Sequence, residues 1–194
     1  MYEYLRGKFT AISATQLITE CNGVGYDLSI SLYTYSKLKD QAEGKVFTHL
    51  AVKEDAHVLF GFADEDERKM FRLLITVSGV GTNTARVILS SLNPVELQQT
   101  IMNGNAPLLQ KIKGIGNKTA QRIILDLRDK VGKESISDVA FISVPGNTIK
   151  NEALSALLVL GFAKPNAEKA LDSIIKRGND LRVEELIKEA LAIL

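Results

Sequence analysis

The residues best placed to do chemistry lie in two glycine-containing stretches 35 residues apart. The first is Gly79-Val80-Gly81-Thr82-Asn83-Thr84-Ala85-Arg86, and the second is Gly114-Ile115-Gly116-Asn117-Lys118-Thr119-Ala120-Gln121-Arg122. Each sets a Gly-apolar-Gly turn before small polar residues and then an apolar face at helical spacing, the pattern of a helix-hairpin-helix. Glycine admits positive φ and close backbone approach. A helix starting there presents unpaired amide N–H groups at its electropositive end. The matching ligand is an anion, phosphate above all, and two such clips in tandem suit two grips on a nucleic-acid backbone. One copy alone reads equally well as a structural turn. The repeat, with Ala85 and Ala120 matched beside the turns, favours binding.

Other chemistries fit less well. A dinucleotide-binding loop needs a preceding strand and a third glycine, and neither copy has them. Gly116-Asn117-Lys118-Thr119 echoes a nucleotide-binding loop, but asparagine stands where glycine should precede the lysine, so no ATP hydrolysis is expected. The setting of Lys118 also resembles that of the catalytic lysine in hairpin-type DNA glycosylase-lyases, with Asp138 twenty residues on. That alternative lacks a cysteine set for an iron–sulfur cluster and enough helices to flank a base pocket. Lys118 reads better as a phosphate contact, with Arg122 one turn on. Glu54 and Asp55 sit at the tip between two strong strands. As a fragment they are a solvated turn; in a DNA binder they become a device against the wrong DNA shape. His49 and His57 lack a third ligand and read as packing or surface residues, with no metal or cofactor expected.

The elements that must hold these residues follow from the periodicity. Tyr4–Ser13, Gln16–Cys21, Tyr26–Ser31, Val46–Lys53 and His57–Phe62 are short β-type runs, with the tight-turn signal Asn22-Gly23 between two of them. With a helical stretch at Tyr33–Leu38 they suit an N-terminal OB-fold barrel over residues 1–64. Val46, Thr48, Leu50 and Val52 alternate with Phe47, His49, Ala51 and Lys53, so the fourth strand can be buried on both faces. Asp64-Glu65-Asp66-Glu67 opens a compact five-helix domain over 65–133, with its acids in a first helical turn. Within it, Asn93-Pro94-Val95-Glu96 reads as a capping box. Residues 134–148 form the expected linker, although Val139-Ala140-Phe141-Ile142 could pack. Residues 149–194 read as three helices, the second running from Pro165 to Gly178. Leu160-Gly161-Phe162 stops the first of them, with Gly161 left-handed and Phe162 folding back.

Charge follows the same division. Residues 65–133 hold eleven Lys/Arg against six Asp/Glu, a balance of +5, while each flank carries −2. The positive excess therefore sits where the hairpins are, as phosphate binding requires. The lone Cys21 rules out a disulfide framework or a cysteine metal cluster within one chain. No signal peptide or spanning segment is visible, and a cytoplasmic location is expected.

Together these residues resemble the RuvA family of bacterial Holliday-junction-binding subunits. The resemblance rests on Val52-Lys53-Glu54-Asp55-Ala56-His57-Val58-Leu59-Phe60-Gly61-Phe62, on the two hairpins at their spacing, and on the C-terminal helices with Leu160-Gly161-Phe162. It covers essentially the whole chain. It implies a homotetramer matched to the four arms of a junction, with two tetramers able to sandwich one. It also implies a role in branch migration during recombination, DNA repair and the SOS response. The implied DNA-backbone contacts are Gly79, Val80, Gly81, Thr82, Arg86, Gly114, Ile115, Gly116, Asn117, Lys118 and Arg122. Glu54 and Asp55 map onto an acidic pin. Leu160, Gly161 and Phe162 fall in the UBA-like domain that docks the RuvB ATPase motor, and the RuvC resolvase is a further implied partner. The family often has proline and lysine where this chain has Thr82 and Asn83, so the first hairpin lacks a lysine in its turn.

Overall fold

The computed structural model describes residues 2–133, 148–175 and 181–194. The chain divides into two compact units, Met1–Ser137 and Asp138–Leu194. The first opens with strands β1 (Tyr4–Ser13), β2 (Gln16–Cys21) and β3 (Val24–Ser29), helix α1 (Leu32–Leu38), and strands β4 (Glu43–Val52) and β5 (His57–Phe62). The strands close into the expected barrel in the order β1-β2-β3-β5-β4. Asn22 (φ 50°) and Gly23 (φ 81°) form the two-residue turn joining β2 to β3, and both adopt the positive φ that such turns need. This turn pairs Cys21 directly with Val24, so β3 begins before Tyr26. β3 also ends at Ser29, short of the expected Ser31, because Ser31 turns out to cap α1 and accepts from the Thr34 amide at 3.0 Å. β4 starts at Glu43 rather than Val46, since its pairing with β1 runs from Tyr4↔Phe47 to Lys8↔Glu43.

β4 has two buried faces, as its alternation predicts. Val46 joins Leu5, Leu17, Leu28, Ile30 and Leu38 inside the barrel. Phe47 and Ala51, on the opposite face, pack against a second cluster that mixes Phe60 and Phe62 of β5 with helical residues. Phe71 is the centre of that seam: its ring lies 5.1 Å from Phe60, 4.9 Å from Phe62 and 5.4 Å from His49. The outer face of the barrel and the helices beyond it therefore share this second cluster.

Those helices are α2 (Glu65–Leu74), α3 (Thr82–Ser91), α4 (Pro94–Met102), α5 (Ala106–Gln110) and α6 (Asn117–Lys133). Asp64 caps α2 by accepting from the Glu67 amide at 2.8 Å. The Asn93 and Glu96 side chains cap each other's backbone at 2.9 and 3.0 Å. Glu67 lies in the first turn of α2 as expected, but it points inward. It is fully buried and accepts from the Ser31 and Thr34 hydroxyls and from the Ala63 amide. Burial pushes its carboxyl up to about 7, with Asp64 adding to the shift and the hydrogen bonds opposing it. Arg68 beside it is also buried, ion-paired to Glu3 at 2.5 Å and donating to the Glu3 carbonyl at 2.8 Å.

The second unit packs α7 (Thr148–Val159), α8 (Lys164–Ile175) and α9 (Val183–Leu191) around Ala153, Leu157, Ala167, Leu171, Ile174, Leu186 and Ala190. Of the expected linker 134–148, only Thr148 is described, as the first residue of α7. Val139-Ala140-Phe141-Ile142, Asp138 and Gly178 lie outside the described residues. Among the described residues no helix is long and apolar enough to cross a membrane.

Candidate nucleic-acid interface

The two glycine stretches fold into the same turn. Val77 and Ile112 each accept at the carbonyl from the apolar residue inside the turn, Val80 and Ile115, at 3.0 Å in both copies. Ala85 and Ala120 each donate to the second glycine, Gly81 or Gly116, at 2.9 Å. Val80, Ile115, Ala85 and Ala120 are all buried, and with Ile88 and Ile123 they anchor both turns in one hydrophobic cluster. Displacing a whole turn must disturb that core, while the peptide planes at its glycines keep their own freedom to rotate.

The glycines do two different jobs. Gly79 (φ 91°) and Gly114 (φ 90°) adopt the left-handed conformation that the turn requires. Gly81 and Gly116 lie outside that region, and a Cβ added at either would meet nothing within 4 Å. Among the described residues nothing forces glycine at these two positions. A bare backbone there instead leaves room for an outside group to approach.

What it would approach is a row of unsatisfied donors. Gly81 (φ −84°, ψ 172°) is the N-cap of α3 and supplies no side-chain cap. Gly116, preceding α6, has no side chain to supply one. By contrast, α1, α2, α4 and α5 are capped by Ser31, Asp64, Asn93 and Asn105. Among the described residues, the amides of Gly79, Gly81, Gly114 and Gly116 donate to no partner. Such open helix starts attract anions by hydrogen bonding and by the helix dipole.

The side chains around the turns are unequal. Asn117 and Lys118 are exposed on the first turn of α6, and Lys111 and Lys113 are exposed on the approach to Gly114. The two approach lysines escaped the motif-based reading, although their alternation before Gly114 was a visible signal. The first hairpin places Thr76, Ser78, Thr82 and Asn83 at the corresponding positions. Arg86 and Arg122, expected at phosphates, are engaged with the protein itself: Arg86 Nη1 donates to the Thr15 carbonyl at 3.3 Å, and Arg122 Nη1 to the Ser78 carbonyl at 3.0 Å.

Glu54 and Asp55 are exposed at the tip between β4 and β5, where the Lys53 amide closes on the Ala56 carbonyl at 2.8 Å. His49 packs on Phe71, and burial, with Arg72 and Arg68 nearby, holds its pKa below the ordinary value. His57 is exposed at the start of β5. In the second unit, Gly161 (φ 95°) ends α7, with its amide on Leu158 and that of Phe162 on Leu157. That pair of bonds is a Schellman stop. It leaves Leu160 59% exposed while Phe162 rests partly buried on the cluster below, so the motif presents Leu160 more than Phe162.

Comparison with known proteins covers the same ground. Three family models match in sequence: the RuvA N terminal domain over residues 1–61, a SAM-like helix-hairpin-helix tandem over 71–129, and the RuvA C-terminal domain over 148–194. Curated relatives match over almost their full length. The protein of Christiangramia forsetii is 49% identical over 191 residues, and that of Flavobacterium psychrophilum 48% over 191, each match covering 98% of both chains. The protein of Porphyromonas gingivalis is 46% identical over 202 residues, covering both chains fully. All three are named Holliday junction branch migration complex subunit RuvA.

Proposed function

The chain belongs to the RuvA family, and from that premise we propose how its parts serve a branch-migration complex. The protein binds Holliday junction DNA and has no catalysis of its own; RuvB is the ATPase motor of the complex. The observation that carries the DNA-binding role is the pair of hairpins with matching backbone hydrogen bonds whose helix starts are left uncapped by glycine. Each offers its amides to a phosphate, with Thr82, Asn117 and Lys118 beside them. A binder of this kind gains most of its affinity from phosphates and so weakens as salt rises. The positive balance of residues 65–133 supports the same reading.

Four copies around a four-fold axis would set one pair of hairpins on each arm of the junction. Two such tetramers would enclose it. Glu54 and Asp55 would then stand near the crossover. Two exposed carboxylates repel a duplex laid straight across them, whereas an open junction spreads its strands around them. Leu160, with Gly161 and Phe162, forms an exposed apolar edge suited to docking RuvB, and RuvC is a further partner of the assembly, which we place in the cytoplasm. The glycosylase-lyase alternative is not favoured. Lys118 is exposed on a helix start rather than enclosed with a base pocket, and Asp138 lies outside the described residues.

The test compares synthetic four-way junction with linear duplex at one fixed salt concentration. The intact protein should prefer the junction, and replacing Glu54 and Asp55 together by alanine should tighten duplex binding more than junction binding. An unchanged ratio of the two dissociation constants would reduce the acids to an ordinary solvated turn. Equal binding of both DNAs by the intact protein would remove the junction reading altogether.

A further inference from the structure

We infer that Arg122, although carried by the helix of the second hairpin, is a positioning residue for the phosphate clip of the first. The inference rests on the reading of both turns as phosphate clips. Arg122 is exposed on α6, yet its Nη1 reaches across to the Ser78 carbonyl at 3.0 Å. That carbonyl and the Gly79 amide belong to one planar trans peptide, so their C=O and N–H point in opposite directions. Anchoring the oxygen therefore aims the N–H. Gly79 (φ 91°) needs such an anchor, because glycine populates many conformations and leaves the peptide plane free to turn.

The same interaction corrects the local field. A carbonyl oxygen beside an anion site repels the ligand. A guanidinium bound to it replaces that partial negative charge with a full positive one. The guanidinium stands across that peptide from the N–H, so it favours the phosphate through its charge rather than as a direct ligand. The first hairpin has no lysine or arginine of its own from Thr76 to Ala85, whereas Lys111–Ala120 contains Lys111, Lys113 and Lys118.

The support runs one way. Shifting Arg122 back by the 35-residue repeat gives Val87, which has no charge to return. Shifting Arg86 forward gives Gln121, while Arg86 itself is turned to the barrel at the Thr15 carbonyl. The second clip thus carries its own charge, and the first is held and charged from its neighbour.

The experiment is a pair of double-mutant cycles on full-length protein with a synthetic four-way junction. Gly81→Val and Gly116→Val serve as the two backgrounds, because neither position is left-handed and neither added Cβ meets a neighbour. Arg122→Ala should weaken junction binding about tenfold in the otherwise unaltered protein and in Gly116→Val, but less than about twofold further in Gly81→Val. A second readout needs no DNA: amide exchange at Gly79 and Val80 should accelerate in Arg122→Ala, with Gly114 and Ile115 unchanged. Arg122→Lys, which keeps a charge and a donor, should recover part of both effects. Coupling to Gly116→Val instead, or to neither background, would overturn the assignment while leaving the clips intact. Failure of the unaltered protein to bind the junction would overturn the parent reading, and the assignment with it.

Discussion

In the first hairpin, Val77, Val80, Ala85 and Ile88 are buried just as Ile112, Ile115, Ala120 and Ile123 are in the second, yet the polar positions between them diverge. The backbone hydrogen bonds coincide, and so do the left-handed glycines. The second hairpin surrounds its turn with Lys111, Lys113 and Lys118, while the first uses Thr76, Ser78 and Asn83. The comparison separates two ingredients of phosphate binding that usually travel together. The backbone hydrogen bonds of the turn are set by the apolar core and are common to both copies. Charge is set by the rim and belongs mainly to one.

The largest effect should come from attacking what the hairpins share. Valine at Gly79 or Gly114 must adopt a φ near 90°, which is strained for a β-branched residue. Either variant should lose junction affinity by about a hundredfold, since strain of this kind costs roughly 1–3 kcal/mol and distorts the amides as well. Similar losses from both positions in a gel-shift titration would confirm a common backbone grip. Full binding by a folded Gly114→Val protein would end the equivalence.

A smaller effect should follow from exchanging what they do not share. Asn83 corresponds to Lys118 across the repeat. Asn83→Lys should steepen the salt dependence of binding and Lys118→Asn should flatten it, each by about 0.9 in the log–log slope for every phosphate newly neutralised or released. A double variant carrying both changes should restore the original slope. If it does not, the two rims face different parts of the DNA.

The smallest effect on DNA binding concerns acidity. Glu67 lies on α2, the helix that leads into the first hairpin, and its folded pKa is raised to about 7 from 4.5. The folded state therefore holds this proton more tightly than the unfolded chain. The resulting stabilisation is fully present below about pH 4.5 and is lost as pH rises through about 7, with an upper bound of roughly 3 kcal/mol. Glu67→Gln should flatten stability between pH 5 and 8 in denaturant titrations. Because α2 enters the first hairpin, raising the pH should loosen Val80 in the original protein more than Ile115. A pH profile identical in protein and variant would show that Glu67 stays charged when folded.

Much of this was readable in the sequence where one residue type has one physical use. Asn22-Gly23 gave its turn, Asn93 and Glu96 their capping box, and Gly161 its helix stop. The alternation in β4 announced a strand with two apolar faces. What escaped depended on partners distant in the chain. The Gly-x-Gly motif did not show that the first glycine serves the turn and the second leaves space for a ligand. Glu67 sat in a run suited to a first helical turn, and its burial depends on the hydroxyls of Ser31 and Thr34, more than thirty residues away. Nothing in the neighbourhood of Arg122 names the Ser78 carbonyl, 44 residues earlier, as an acceptor.

The doubly buried β4 strand bears on how the molecule melts. Its inner face completes the barrel and its outer face completes the helical core, so neither body can lose its structure without exposing the other's apolar surface. Barrel and hairpins should then form a single cooperative block in a calorimetric scan, despite matching two separate family models. The hairpins inherit the thermal resistance of the whole block, and a cavity cut at Phe71 would lower the melting temperature of the barrel along with that of the DNA-binding turns.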